Sequence, residues 1–194
     1  MHGNSLMNLY ANTLTQGGHY CATKIYTNLI AYGMNNYNLV NLSINGNPTA
    51  TKIANWSTQT APIIKPGDIV VLWEIQNDVS AGGLTGAQAY ANYVTFASLV
   101  HGAGAKIVVG TATARNHASD TDQFTRNSDC NALVRADTTN FDLICDIGAE
   151  THMSTQAEAA NTTFYQSDKL HHATAGSDLC ASFFAYKIWN SGLL

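Results

Sequence analysis

The sequence predicts an α/β fold in which helices cover both faces of a parallel sheet, giving three layers. Segments with strand-like apolar patterns alternate along the chain with segments of helical spacing. Two strand-like segments, residues 69–73 and 106–111, are nearly continuous apolar runs, as expected for strands buried on both faces of a sheet. With 194 residues, no internal repeat and no linker, we expect a single domain over residues 1–194.

The first half of the chain contributes three predicted helices and two predicted strands. The helices are predicted over residues 6–15, 20–32 and 49–60, the first two from apolar residues at helical spacing. The strands are predicted over residues 38–44 and 69–73. Each strand has a turn signal at one end. The first is followed by Asn45-Gly46-Asn47-Pro48, and the second is preceded by Pro66-Gly67-Asp68.

The second half continues the alternation and closes with a helix. Helices are predicted over residues 85–101, 122–137 and 173–189, and strands over residues 106–111 and 141–147. Residues 148–167 are polar and irregular. The loops after the strands that end near Ile44, Trp73 and Thr111 should meet at the carboxyl edge of the sheet, where open α/β sheets bind ligands.

Charge and hydropathy exclude several classes of partner. Charged residues make up only 11% of the chain, the net charge is −4, and no cluster of Lys and Arg occurs. A nucleic-acid partner is therefore not expected, because phosphate binding needs a basic surface. No apolar run reaches the ~18 residues of a membrane span. The polar surface must come from Asn, Thr, Ser and Gln, a composition common in secreted and virion proteins, which favours an extracellular or virion-associated protein.

The cysteines and histidines give no metal-binding pattern. The four cysteines are widely spaced and lack a Cys-x-x-Cys pair, which excludes a zinc ribbon or a thioredoxin-like motif. Most of them have apolar neighbours in the sequence and are expected to be small buried thiols. Their even number is also compatible with one disulfide. The histidines show no His-x-x-x-His spacing, so a metal site is not expected.

Three residues could form a nucleophilic site. Ser5 lies in the stretch Gly3-Asn4-Ser5-Leu6, and Asp168 precedes His171 by three residues. A serine becomes nucleophilic at neutral pH when a base accepts its proton and a third group orients the base. At this spacing Asp168 can reach one ring nitrogen of His171, which leaves the other nitrogen for Ser5. The alternative is that Asp168 caps a helix and His171 is a surface residue.

Acyl transfer also requires donors for the developing oxyanion. The loop residue Gly46 could offer a backbone N–H, and Asn77 could offer its side-chain amide at the end of the strand over residues 69–73. The backbone N–H of Ser5 would be a third donor. Each position alone also fits a purely structural role in a loop or turn. Together, at the carboxyl ends of strands, they favour a catalytic site.

These stretches together resemble the four sequence blocks of the SGNH hydrolases, also called the GDSL esterase and lipase family. In order they supply a Ser, a Gly, an Asn and an Asp-x-x-His, and the resemblance runs from Gly3 to about Ala181. It implies a three-layer, flavodoxin-like α/β/α fold and no cofactor. It also implies that Ser5 is the nucleophile, His171 the base and Asp168 its orienting partner, with Gly46 and Asn77 as oxyanion donors.

The sequence departs from the family pattern in four places. Asn4 replaces the usual Asp of the first block, Ile75 replaces the usual Gly of the third, and His172 replaces the Pro that often follows the catalytic His. Only two residues precede Gly3, so the first central strand that the resemblance implies either lies upstream of Met1 or is missing from this fold. The change at Ile75 affects the expected loop geometry around Asn77.

The sequence therefore predicts a serine esterase that hydrolyses carboxylic esters through an acyl-enzyme. The substrate would be a small-molecule or glycan ester. The chain lacks a long apolar insertion that could form a lid, which favours small acyl groups such as acetyl on a carbohydrate. The alternative is a binding or structural module of a larger surface or virion protein that keeps the fold without turnover. The sequence does not indicate an oligomeric state.

Overall fold

The computed structural model describes residues 1–3 and 21–193, and within them four strands form one parallel sheet. The strands follow one another across the sheet in chain order. They are β1 (His2–Gly3), β2 (Ile69–Trp73), β3 (Lys106–Gly110) and β4 (Leu143–Cys145). Because all four run in the same direction, their carboxyl ends share one edge of the sheet.

In the described ranges, six helices pack around this sheet. They are α1 (Cys21–Ala31), α2 (Thr49–Ala54), α3 (Ile75–Ser80), α4 (Gly86–Gly102), α5 (Gln123–Ala136) and α6 (Thr174–Asn190). Shorter turns of π- or 3₁₀-helix occur at Trp56–Thr60, Ile147–Ala149 and Glu158–Ala160. Helix α4 begins with a capping box, in which Thr85 and Gln88 each bond the other's backbone N–H.

Alternate residues of β2 point into two separate cores. Val71 and Trp73 pack with residues of α1 and α6 in one core. Val70 and Leu72 pack with residues of α3, α4 and α5 in the other. This two-residue period is the geometry of an extended strand, and it explains why β2 is apolar at every position. The predicted α/β fold, with a parallel sheet between two helical layers, is confirmed.

Residues 38–44 were predicted to form a strand and do not. Among bonds to described residues, those of Met1 have the geometry of a strand pair. Its backbone nitrogen donates to the carbonyl of Val40 at 2.6 Å, and its carbonyl accepts from the N–H of Leu42 at 2.8 Å. This is the bonding pattern of a parallel ladder. It extends no further within the described residues, and the exposed side chains of Val40 and Ile44 give the segment little burial to hold it extended.

One further difference concerns the segment after β2. Residues 75–80, expected as a turn after β2, form helix α3. The helix predicted over residues 6–15 lies outside the described residues.

All four cysteines are buried free thiols, and burial raises the pKa of Cys130 and of Cys145 to about 12. No helix in the described part of the chain is long and apolar enough to cross a membrane.

Candidate active site

Two of the candidate residues, Ser5 and Asn77, come shortly after the carboxyl ends of strands β1 and β2. Strand β1 ends at Gly3, which pairs with Trp73, the last residue of β2. Ser5 and its neighbour Asn4 come next in the chain, and both lie outside the described residues. The other four candidates, Gly46, Asn77, Asp168 and His171, are described.

Asp168 and His171 form a hydrogen-bonded pair. The carboxylate oxygen Oδ2 of Asp168 lies 2.6 Å from Nδ1 of His171. The other oxygen, Oδ1, accepts the backbone N–H groups of His171 at 2.9 Å and Leu170 at 3.0 Å. Partial burial opposes ionisation of Asp168, but these hydrogen bonds outweigh it and hold the pKa of the carboxyl below its usual value. An ionised Asp168 orients the imidazole and favours the tautomer with hydrogen on Nδ1.

The loop that carries this pair is closed by its own backbone. Gln166 N–H donates to the carbonyl of His171 at 2.7 Å, and Ala173 N–H donates to the carbonyl of Phe164 at 2.9 Å. Lys169 turns the chain with a positive φ of 57°, an uncommon conformation for a residue other than glycine. The spacing of Asp168 and His171 is thus set within one short loop.

The loop is also fixed to its surroundings at two points. The carbonyl of Lys169 accepts the N–H of Asn116, in the segment after β3, at 2.9 Å. At the start of α6, Gly176 lies so close to Phe164 that a Cβ at this position would collide with the carbonyl oxygen of Phe164. Both contacts hold the Asp168–His171 pair at the carboxyl edge of the sheet.

His172, the next residue in the chain, lies in a different environment from His171. Its ring is buried, with Nε2 at 3.2 Å from Oγ1 of Thr113 and Nδ1 at 3.7 Å from Sγ of Cys180. Burial, and then the positive charge of a protonated His171, lower its pKa to about 3. His172 is therefore neutral at physiological pH and belongs to the packing beneath the site.

Gly46 and Asn77 lie on two neighbouring segments. Gly46 has a φ of +75° in an exposed turn, and a Cβ placed there would meet no heavy atom within 4 Å. Asn77 lies in the first turn of α3, and its side-chain Nδ2 approaches the carbonyl oxygen of Asn47 at 3.4 Å. The turn at Gly46 and the start of α3 therefore face each other.

A buried carboxylate joins the same two segments more firmly. Asp78 accepts the backbone N–H of Thr49 at 2.7 Å and the hydroxyl of Thr49 at 2.6 Å. Burial raises the pKa of Asp78 to about 6, although the bonds from Thr49 oppose that shift. Because Thr49 begins α2 three residues after Gly46, this pair fixes the turn at Gly46 against the helix that carries Asn77.

A second buried pair lies beside the first. The ammonium of Lys52, in α2, lies 2.9 Å from Oε1 of Glu74, and both side chains are almost fully buried. Burial raises the pKa of the Glu74 carboxyl well above its usual range, because Lys52 offsets only part of the lost hydration. Glu74 also offers its backbone N–H to the hydroxyl of Tyr93 at 2.6 Å, which fixes the turn from β2 into α3.

A chain of contacts connects these segments to the histidine loop. The side-chain amide of Gln76, next to Asn77, donates to the carbonyl and to Oγ1 of Thr113, both at 3.0 Å. Since Oγ1 of Thr113 accepts from Gln76, its hydroxyl hydrogen can be donated to Nε2 of His172. The structure thus brings Gly46, Asn77, Asp168 and His171 to one edge of the sheet through three adjoining loops.

Sequence reasoning missed the residues that hold these loops together. Lys52 and Thr113 stood out in no motif. Glu74 and Asp78 could be noticed only as carboxylates on either side of Asn77, without their partners. Lys52 gave no signal in the sequence, because a lysine is rarely buried unless it is paired and its partner lies 22 positions away.

Comparison with known proteins finds similar structures but no similar sequences. No protein-family model and no curated protein sequence matches the chain. A structure described as a GDSL-like lipase from Parabacteroides merdae superposes with a TM-score of 0.72 at 15% identity, covering 100% of this chain and 94% of that one. A structure described as an SGNH hydrolase from Slackia heliotrinireducens gives 0.69 at 21% identity, covering 97% and 96%.

A third similar structure carries a more specific description. A catalytic mutant of an acetylxylan esterase from Geobacillus stearothermophilus superposes with a TM-score of 0.65 at 16% identity, covering 96% of this chain and 91% of that one. Identities this low establish the fold alone. The resemblance first noticed in four short stretches of sequence is confirmed at that level, and this chain has the fold of the SGNH hydrolases.

Proposed function

We propose that this protein is a serine esterase that hydrolyses carboxylic esters through an acyl-enzyme. The observation that carries the proposal is the Asp168–His171 pair, with Oδ2 and Nδ1 2.6 Å apart, on the sheet edge where β1 and β2 end. This edge is where open α/β sheets bind their ligands. The likeness to hydrolase structures agrees with the proposal.

In the proposed reaction, Nε2 of His171 accepts the proton of the Ser5 hydroxyl as its oxygen attacks the ester carbonyl. Asp168 keeps hydrogen on Nδ1 and stabilises the imidazolium that forms. The tetrahedral oxyanion would accept hydrogen bonds from Asn77 Nδ2 and from the backbone N–H groups of Gly46 and Ser5. His171 then protonates the departing alcohol, and a water molecule, deprotonated by His171, releases the acid from Ser5.

The proposed substrates are esters of short acyl groups, including acetyl esters of carbohydrates. Two points support this choice. The sequence has no long apolar insertion that could cover a long acyl chain. One of the similar structures is described as an acetylxylan esterase.

The two adjacent histidines allow a direct test with a chromogenic acetyl ester. His171→Ala should lower kcat/KM by about 10²–10⁴-fold, because a positioned general base contributes that much. His172→Gln, a change one residue away, should leave kcat/KM within a few-fold of wild type. The opposite result, with His172 essential and His171 dispensable, would contradict the assignment of the base.

A covalent label tests the nucleophile independently. A serine-directed phosphonate should add once, on the peptide that contains Ser5, and Ser5→Ala should abolish both the adduct and the turnover. An adduct on another peptide, or retained activity of Ser5→Ala, would exclude the proposed mechanism.

A further inference from the structure

The segment that follows strand β3 contains a buried ion pair. The guanidinium of Arg115 donates from Nε to Oδ2 of Asp120 at 2.7 Å and from Nη2 to Oδ1 at 2.6 Å. The two side chains are only 3% and 7% exposed. Two parallel bonds of this kind fix the relative orientation of the two groups as well as their distance. No step of the proposed reaction uses either group.

The ion pair closes a tight turn of the chain. Oδ2 of Asp120 also accepts the backbone N–H of His117 at 3.2 Å, and the N–H of Asp120 donates to the carbonyl of His117 at 2.9 Å. Asn116 lies between Arg115 and His117, and both of these neighbours bond to Asp120. The position of the Asn116 backbone is therefore fixed from both sides.

Asn116 in turn contacts the loop that carries the histidine. Its backbone N–H donates to the carbonyl of Lys169 at 2.9 Å, and Lys169 lies between Asp168 and His171 with a positive φ of 57°. The hydrogen bonds inside the loop set its shape. The bond from Asn116 connects the loop to the end of β3, and so to the sheet edge at which β1 ends and Ser5 follows in the chain.

We propose that Arg115 is a positioning residue, which acts through Asn116 and Lys169 to hold the loop of His171 where the base can reach the nucleophile. This inference rests on the proposed function, in which His171 is the general base. Arg115 itself contacts no reacting atom. A general base must lie within hydrogen-bond reach of the proton that it accepts, and a displacement of about 1 Å can cost about 10²-fold in rate.

The first test is Arg115→Met in the whole chain, assayed with a chromogenic acetyl ester. The variant should lower kcat by about 10–100-fold with little change in KM, because the base is displaced and the bound substrate is not. It should also speed amide hydrogen exchange at Asn116 by at least about tenfold, since the bond to Lys169 opens more often. The variant also loses stability, because the carboxylate of Asp120 stays buried without its cation.

A double substitution separates positioning from stability. Arg115→Met combined with Asp120→Leu should bring Tm back close to that of wild type, because an apolar pair can replace a buried ion pair. The two parallel bonds are still absent, so kcat should stay low and exchange at Asn116 fast. Arg126→Met is the matched control, since it removes a partly exposed ion pair with Asp122. It should leave kcat and exchange at Asn116 unchanged.

Each outcome decides for or against the positioning role. A recovered Tm with low kcat and fast exchange at Asn116 supports it. Wild-type kcat in the double variant would show that the ion pair contributes stability alone, and it would overturn the proposal. Exchange at Asn116 as slow as in wild type would overturn it as well.

A milder variant decides the question if the double variant does not fold. Arg115→Lys keeps the charge opposite Asp120 but cannot donate two parallel bonds, so it should fold and lower kcat by about tenfold. Wild-type kcat and exchange in this variant would overturn the proposal. A wild-type protein that hydrolyses no ester would contradict the proposed function. Exchange at Asn116, measured without substrate, would still decide whether Arg115 holds the loop.

Discussion

The two sides of the candidate site are held in position by different kinds of contact. On one side, Asp168 and His171 are three residues apart, and the bonds that orient them lie within a single loop. On the other side, Gly46 and Asn77 lie 31 positions apart in the sequence and meet through Thr49–Asp78 and Lys52–Glu74, which are buried pairs between separate elements.

This difference predicts how each side responds to substitution. Removing a partly exposed group from a local loop should change the chemistry and leave the rest of the protein folded. Removing one member of a buried pair leaves its partner without compensation, and both folding and the shape of the site are affected.

The first prediction concerns the buried pair of Lys52 and Glu74. Lys52→Met should lower the free energy of unfolding by about 3–5 kcal/mol, because it leaves a buried carboxylate without its cation. Urea denaturation measures this change. From the other side of the site, Asp168→Ala should cost less than about 1 kcal/mol, since the side chain of Asp168 is one-third exposed.

A double substitution separates charge from packing in the same experiment. Lys52→Met combined with Glu74→Leu should recover most of the lost stability, because a well-packed apolar pair can replace a buried ion pair. If Lys52→Met alone cost as little as Asp168→Ala, the two sides of the site would not differ as described.

The second prediction concerns Asn77, where the sequence departs most from the family pattern. If its amide donates to the oxyanion, Asn77→Ala should lower kcat by about 10²–10³-fold, or roughly 2.7–4 kcal/mol, with little change in KM. The Tm should hardly change, because the contact of Nδ2 with Asn47 is long, at 3.4 Å.

The neighbouring residue provides the control for this variant. Gln76 is buried and bonds Thr113 twice, so Gln76→Ala should lower Tm more than Asn77→Ala and lower kcat less. If Asn77→Ala lowered Tm while kcat stayed within a few-fold of wild type, Asn77 would shape the start of α3 and would not bind the oxyanion.

The contrast between the two sides also explains how much the sequence could predict. Strands β2 and β3, helices α4–α6 and the Asp168-x-x-His171 spacing depend on patterns a few residues long, and such patterns can be recognised in one sequence. The pairs Thr49–Asp78 and Lys52–Glu74 join positions 29 and 22 residues apart. No local pattern connects such residues, because their partners are determined by how the layers pack.

The prediction for residues 38–44 failed for a related reason. The alternation of apolar residues there is real, but strand formation needs a neighbour along the whole segment. Among the described residues only Met1 offers ladder bonds, to Val40 and Leu42. Helix α3 was missed because Ile75–Ser80 is too short for helical periodicity to be recognised.

The third prediction concerns pH and the buried His172. Its pKa is about 3 in the folded protein and about 6.5 when unfolded, so the unfolded state binds more protons between these values. Stability should therefore be full above pH 6.5 and fall as the pH decreases. Between pH 7 and pH 5, protonation of His172 in the unfolded state should lower the free energy of unfolding by about 2 kcal/mol.

The measurement is the difference between wild type and His172→Gln in urea denaturation at pH 7 and pH 5. Burial also lowers the pKa of His2, so the variant should keep part of the acid sensitivity. Between pH 7 and pH 5, the free energy of unfolding of His172→Gln should nevertheless fall by about 2 kcal/mol less than that of wild type. Equal losses would show that His172 does not remain neutral in the fold.

The close approach of Gly176 to Phe164 limits how this sequence can vary. Even the methyl group of alanine at position 176 would meet the carbonyl oxygen of Phe164, which is backbone and cannot swing aside as a flexible side chain could. Helix α6 would then have to shift relative to the loop that carries Asp168 and His171. Position 176 therefore accepts only glycine, although it lies outside the four sequence blocks that resemble the family. A search that scores the residues of those blocks alone would give Gly176 no weight.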